Sequence, residues 1–140
     1  MTTEWKNPKT DWTNEDRFNI SDYNRIKNNI QWIHEKANQF YKSFPIKEMG
    51  NDIVSYDSYW EVEKFNYFEE NIDEINKNIL SKDYGVSQRF FENGPFIRWN
   101  ELNRIENACK TMKEILDNQE TTRTVRLSFR LGKILKGVNV

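Results

Sequence analysis

Apolar positions recur along this chain in two periods. Tyr23, Ile26, Ile30, Ile33 and Ala37 fall at i, i+3, i+7, i+10 and i+14, and so do Phe65, Phe68, Ile72, Ile75 and Ile79. Leu102, Ile105, Cys109, Met112 and Leu116 repeat the pattern a third time, at offsets of 42 and then 37 residues. Such a stripe is one face of a helix packing at coiled-coil-like spacing, about four turns long. Ser21 and Asn100 stand where N-caps would, and Ser58 with Glu61 reads as a capping box. Pro45 and the run Lys82-Asp83-Tyr84-Gly85 follow as stops. The spacing predicts helices over about 21–43, 58–81 and 100–118. Three stripes on one chain must bury each other, so the expected fold is mainly α, a three-helix bundle.

The connections are longer than bundle loops usually are. They carry Phe44, Ile46, Met49, Ile53, Val54 and Tyr56 in one case and Tyr84, Val86, Phe90, Phe91 and Phe96 in the other. Apolar side chains in such numbers predict connections packed along the bundle. A loop presented to a partner is the other reading. Residues 86–91 could form a short strand, ended by Asn93-Gly94-Pro95. The second period appears at the end of the chain. Thr124-Val125-Arg126-Leu127-Ser128-Phe129-Arg130-Leu131 alternates strictly, which reads as a half-buried β-strand, with Gly132-Lys133 able to turn it into a hairpin. The chain thus divides into a three-helix module over 1–120, with an extended N-terminal arm, and a strand-forming segment over 121–140.

Charge sharpens that division. Residues 121–140 hold Arg123, Arg126, Arg130, Lys133 and Lys136 and no acid, whereas the rest holds 16 basic and 22 acidic residues. The near-neutral total of −1 is therefore an acidic body of −6 cancelling a tail of +5. A basic tail can meet an acidic protein surface, its own body or a sister subunit, an anionic membrane or nucleic acid. The acidic body opposes nucleic acid, and no apolar run approaches the ~18 residues of a membrane span. Met1–Asp11 is polar, with no signal-peptide core.

Polar residues repeat with the stripes. Asn24 and Asn28 recur as Asn103 and Asn107, and the middle copy offers Asn66 and Glu70. Residues four apart share a helix face, here one turned away from the seam. Asn is a mediocre helix former, so these amides either hold the long connections through their backbones or contact neighbouring subunits. Together with Arg123, Arg126, Phe129 and Arg130 they are the candidate interface residues.

Candidate chemistry is sparse. One Cys and one His exclude a disulfide within the chain and a Cys- or His-rich metal site. Cys109 occupies the stripe position of Ile30 and Ile72, where a thiol packs as a small hydrophobe. His34 lies beside Ile33 at the edge of its stripe. There is no glycine-rich phosphate loop, HExxH, CxxC or nucleophile elbow, so no enzyme and no cofactor are expected. Mean hydropathy is −0.93, yet 20 of 140 residues are aromatic. Trp5, Trp12, Trp60 and Trp99 are the candidates for stacking on a saccharide, whereas Trp32 is placed to pack.

Two stretches carry a resemblance. Pro8-Lys9-Thr10-Asp11-Trp12-Thr13 with Arg17-Phe18-Asn19-Ile20-Ser21-Asp22-Tyr23-Asn24-Arg25-Ile26-Lys27-Asn28-Asn29-Ile30 resembles a segment common in virion structural proteins of tailed phages and prophages of Gram-positive bacteria. Asn93-Gly94-Pro95-Phe96-Ile97 with Glu101-Leu102-Asn103-Arg104-Ile105-Glu106 looks like a later helix of the same family. The resemblance implies a non-enzymatic tail, baseplate or fibre-associated component. Such a protein is made in the bacterial cytoplasm and carried in the virion, as a homo-oligomer docked to other phage structural proteins. The 18 asparagines, with many Ile and Lys, fit the A/T-rich genomes of such hosts. A host cell-wall saccharide-binding module of the adsorption apparatus is the second expectation. A nucleic-acid-binding protein using the basic C-terminus is the third.

Overall fold

The computed structural model describes residues 3–55, 62–92 and 97–138, with side chains as far as Arg123. Three helices are present: α1 (Ile20–Phe40), α2 (Val62–Asn78) and α3 (Trp99–Val138). All fifteen stripe residues are buried, none more than 8 % exposed. The helical periodicity therefore marks the core residue by residue. Aromatic rings close one end of it. Tyr23 lies 5.1 Å from Phe68, and Phe65 packs edge-on against Phe18 at 5.7 Å and Phe90 at 6.3 Å. A fully buried Phe contributes roughly 1.5–3 kcal/mol through the area removed from water.

Helix starts lie slightly upstream of the expected caps. The N-cap of α1 is Asn19, not Ser21, and its backbone N–H donates to Asp22 Oδ2 at 2.8 Å. Asp22 thus closes a capping box one turn into the helix. Asn100 lies inside α3, which begins at Trp99. The capping box expected at Ser58 and Glu61 lies outside the described residues. α1 stops at Phe40 rather than 43, where Tyr41 turns extended and donates its N–H to Ala37 O at 2.9 Å. α2 stops at Asn78 rather than 81.

The three helices run parallel. Near their first turns Arg25 of α1 pairs with Glu106 of α3, and Arg104 of α3 pairs with Glu69 of α2. At the far end Lys36 pairs with Glu120, and Arg123 donates to Phe40 O at 2.8 Å. Parallel order explains the long connections. Each must return the length of a helix, about 25 Å for the 17 residues of α2 at ~1.5 Å per residue.

The returning segments are three irregular straps: residues 3–18 before α1, 41–55 before α2 and 79–92 before α3. Their contacts step down the bundle in order. In the second strap Phe44 meets His34 and Asn38, Gly50 meets Lys27, and Ile53 meets Asn24. The first strap descends from Lys6 at Asn29 to Lys9 at Glu106 and Trp12 at Asn103. The third descends from Lys82 at Asn76 through Gln88 at Glu69 to Phe90 at Asn66. Three copies of strap plus helix thus close on one another with approximate threefold order.

No β-strand occurs among the described residues. Residues 86–91 are not a strand, because their backbone groups bond to side chains of α2 instead of to another strand. Nor do residues 124–131 form one: the backbone of α3 continues as helix to Val138. Extending an existing helix needs no new nucleus, whereas an isolated hairpin is marginal. The alternating segment also carries a helical pattern at Leu127, Leu131, Ile134 and Val138.

Candidate interaction surface

Asparagine side chains bind the straps in a repeated geometry. An amide that both donates to and accepts from the backbone of one residue does what a neighbouring β-strand would do. Asn24 donates to Ile53 O at 2.8 Å and accepts from Ile53 N–H at 2.9 Å. Asn66 does the same to Phe90 at 2.9 and 2.7 Å, and Asn103 to Trp12 at 3.0 and 2.7 Å. These three are the repeated asparagines of the sequence, and each spends its amide within the chain. A second set was not singled out from sequence. Asn29 holds Lys6 at 2.8 and 3.0 Å, and Asn71 holds Lys47 at 3.0 and 2.7 Å. Their signal was present, since Asn29 and Asn71 are themselves 42 residues apart. In all three straps the two register positions are six residues apart: 6 and 12, 47 and 53, 84 and 90. In the third, Ala108 stands where the first two units have Asn29 and Asn71, and the buried Tyr84 hydroxyl makes no hydrogen bond.

One helix position holds a buried charge in every copy: Lys27, Glu69 and Glu106. Glu106 accepts from Lys9 N–H at 3.1 Å, from Trp12 Nε1–H, and from Arg25 through Nε at 2.7 Å and Nη2 at 2.9 Å. Glu69 accepts from Gln88 N–H and from Arg104. Burial pushes its carboxyl above the ordinary range, against the pull of those two donors. Lys27 donates to Gly50 O at 3.1 Å and to Asp52 at 2.5 Å. That bond holds the Asp52 carboxyl below its ordinary range. Buried charge is tolerated here because strap backbone and an opposite charge meet it together.

The groups with most chemical potential are similarly committed. Burial pushes the Cys109 thiol far above its ordinary range, so the thiolate is not formed at neutral pH. His34 Nε2 lies 2.6 Å from Phe44 O, and its ring packs edge-on against Phe44. These two residues fasten the turn after α1.

The remaining candidates face outward or lie apart. Asn28 donates to Asp52 at 3.0 Å, Glu70 pairs with Arg89 at 3.3 Å, and Asn107 is exposed. Trp5 packs on Trp32 at 5.3 Å with the Lys113 ammonium 5.6 Å from its ring. Trp12 is only 3 % exposed, whereas Trp99 is 46 % exposed, and both line a hollow of about 380 Å³ with Asp16 and Arg98. Trp60 lies outside the described residues. The Arg123 guanidinium sits 5.0 Å over the Phe40 ring and fixes the end of α1 to α3. Arg126, Phe129 and Arg130 belong to the helix beyond that contact.

A hollow of about 640 Å³ lies between the second strap and α2. Pro45 and Ile46 give it an apolar side, and Glu70, Asp73 and Glu74 an acidic one. Val54, Val86 and Phe91 are further exposed apolar side chains on the straps. No helix among the described residues is long and apolar enough to cross a membrane, and no cluster of three or more His, Cys, Asp or Glu among them is placed to hold a metal ion. The chain matches no family model, no curated protein and no solved structure.

Proposed function

We propose that this chain is a non-enzymatic structural component of a phage particle. It would dock to sister or neighbouring subunits, in the tail, baseplate or a fibre-associated position. The observation that carries the assembly reading is the length of α3. It has 40 residues where α1 has 21 and α2 has 17, and α1 ends level with Arg123. A helix carrying basic residues and a run of Leu, Ile and Val, prolonged beyond its own bundle, is a means of joining another surface. The body supports the same reading. Its buried carboxylates Glu69 and Glu106, its histidine and the amides of Asn24, Asn66 and Asn103 are engaged in holding straps to helices. The phage assignment rests on the resemblance of residues 8–30 and 93–106 to virion proteins. Truncation after Arg123 should leave a helical body by circular dichroism and keep the chain out of particles when they are purified by sedimentation. A truncated chain that enters particles as the full chain does would refute the docking role.

The hollow beside Trp99 favours one second reading, binding of a cell-wall saccharide. Trp99 offers a free ring face, with Asp16 and Arg98 beside it to bond hydroxyls. Trp99→Ala should then abolish saturable binding of the assembled protein to host walls. Equal binding by wild type and variant would dispose of that reading.

A further inference from the structure

The direction of α3 decides where its tail can dock. Residues 124–138 continue the helix without a break, so they extend about 22 Å past Arg123 at ~1.5 Å per residue. A continuous helix cannot fold back on the bundle it leaves. Any surface that receives it belongs to another molecule. At 100° per residue, Leu127, Leu131, Ile134, Leu135 and Val138 share one arc about 100° wide, in line with the buried stripe of Leu102, Cys109 and Leu116. Arg126, Lys133 and Lys136 lie on the opposite side, with Phe129 among them, and Arg130 flanks the apolar arc beside Ile134. The tail thus carries an apolar face and a charge of +4.

Charge narrows the choice of receiver. Two tails pairing with each other would set +4 against +4. The hollow beside Trp5 is lined by Lys110 and Lys113 with Glu114 alone against them, and the hollow beside Trp99 holds one Asp and one Arg. The groove between the second strap and α2 differs. It has an apolar side at Pro45 and Ile46 and a net charge of −1, from Glu70, Asp73 and Glu74 against Lys47 and Lys77. Glu74 is paired with Lys77 at 3.2 Å, Glu70 with Arg89 at 3.3 Å, and Asp73 accepts from the Ser87 hydroxyl at 2.6 Å. Glu63, exposed one heptad before Glu70, lengthens the acidic row. The lengths also agree: α2 is about 25 Å long, and residues 124–138 span about 22 Å.

We propose that the basic, amphipathic end of α3 docks into the groove between residues 45–47 and α2 of a second copy of this chain. The inference rests on the assembly reading above and names its partner. Each copy carries one tail and one groove, so the contact is heterologous. It closes into a ring or propagates as a filament according to its rotation.

Charge exchange tests it. The full chain should gain mass with concentration by light scattering, and the gain should fall with salt as the charges are screened. Arg126→Glu/Arg130→Glu, in the tail, and Asp73→Lys/Glu74→Lys, in the groove, should each be monomeric while keeping wild-type helix content. Mixed in equal amounts, they should regain the concentration-dependent mass of the full chain. Growth resumes because the acidic tail of one variant then meets the basic groove of the other, and the basic tail of the second meets the acidic groove of the first. A full chain that is monomeric at every concentration overturns the inference, and so does a groove variant that associates like wild type. The two readings fail separately. A monomer that enters particles loses this partner but keeps the assembly role, and a chain that polymerises yet stays out of particles does the reverse.

Discussion

Replacing Asn66 by alanine would unfasten the third strap at one point. The Asn66 side chain is 7 % exposed, and its amide makes both hydrogen bonds of Phe90, at 2.9 and 2.7 Å. An intramolecular hydrogen bond contributes about 0.5–1.5 kcal/mol net, and a buried polar group left without a partner costs about 1–3 kcal/mol. Phe90 is half-buried, so water reaches its freed N–H and C=O only in part. The two terms together give a loss of about 2–4 kcal/mol for Asn66→Ala. Asn66→Asp separates the bonds from the volume. It keeps an acceptor for the Phe90 N–H but sets a carboxylate against the Phe90 carbonyl, so it should be no more stable than the alanine variant. Urea denaturation measures both, and hydrogen exchange at the Phe90 amide should quicken in Asn66→Ala before the helices open. If both variants fall within 0.5 kcal/mol of wild type, these amides are not what holds the straps.

The two glycines at positive φ should behave differently. Gly85→Ala sets a Cβ 2.7 Å from Arg104 Cδ at φ +89°, whereas Gly50→Ala, at φ +78°, meets nothing within 4 Å. Thermal denaturation should show the left-handed penalty of about 1–2 kcal/mol in both and an extra loss at Gly85 alone. Asp52 has a folded pKa below its unfolded value of 3.8. Its stabilisation is therefore complete above about pH 4 and lost as pH falls through the folded value, and Asp52→Asn should flatten that part of an acid titration. Cys109 should react with a thiol reagent in the native protein only at the rate of opening, and reaction as fast as in urea would refute its burial.

Much of this fold is legible in the sequence because helical burial is a local, periodic requirement. Each stripe at i, i+3 and i+7 needed only its own residues to be recognised, and every one of its members is in the core. Asn24, Asn66 and Asn103 stood out for the same reason, as polar residues repeating in the helical register. The residues they hold were not legible, since 29, 24 and 91 positions separate the partners in sequence. Helix direction lay beyond periodicity as well, because a stripe reads the same for parallel and antiparallel packing. The Arg25–Glu106 and Lys36–Glu120 pairs, toward opposite ends of α1 and α3, display it only once the chain is folded. Lys27, Glu69 and Glu106 look like solvated charges on a helix face. They are buried because straps cross over them, and the straps cross because parallel helices force the chain to return. At the end of the chain one pattern suited two structures. Residues 124–131 alternate like a strand and also fit a helix, and tertiary structure decided between them. A helix already nucleated in the bundle extends at little cost, while a lone strand had no sheet to join.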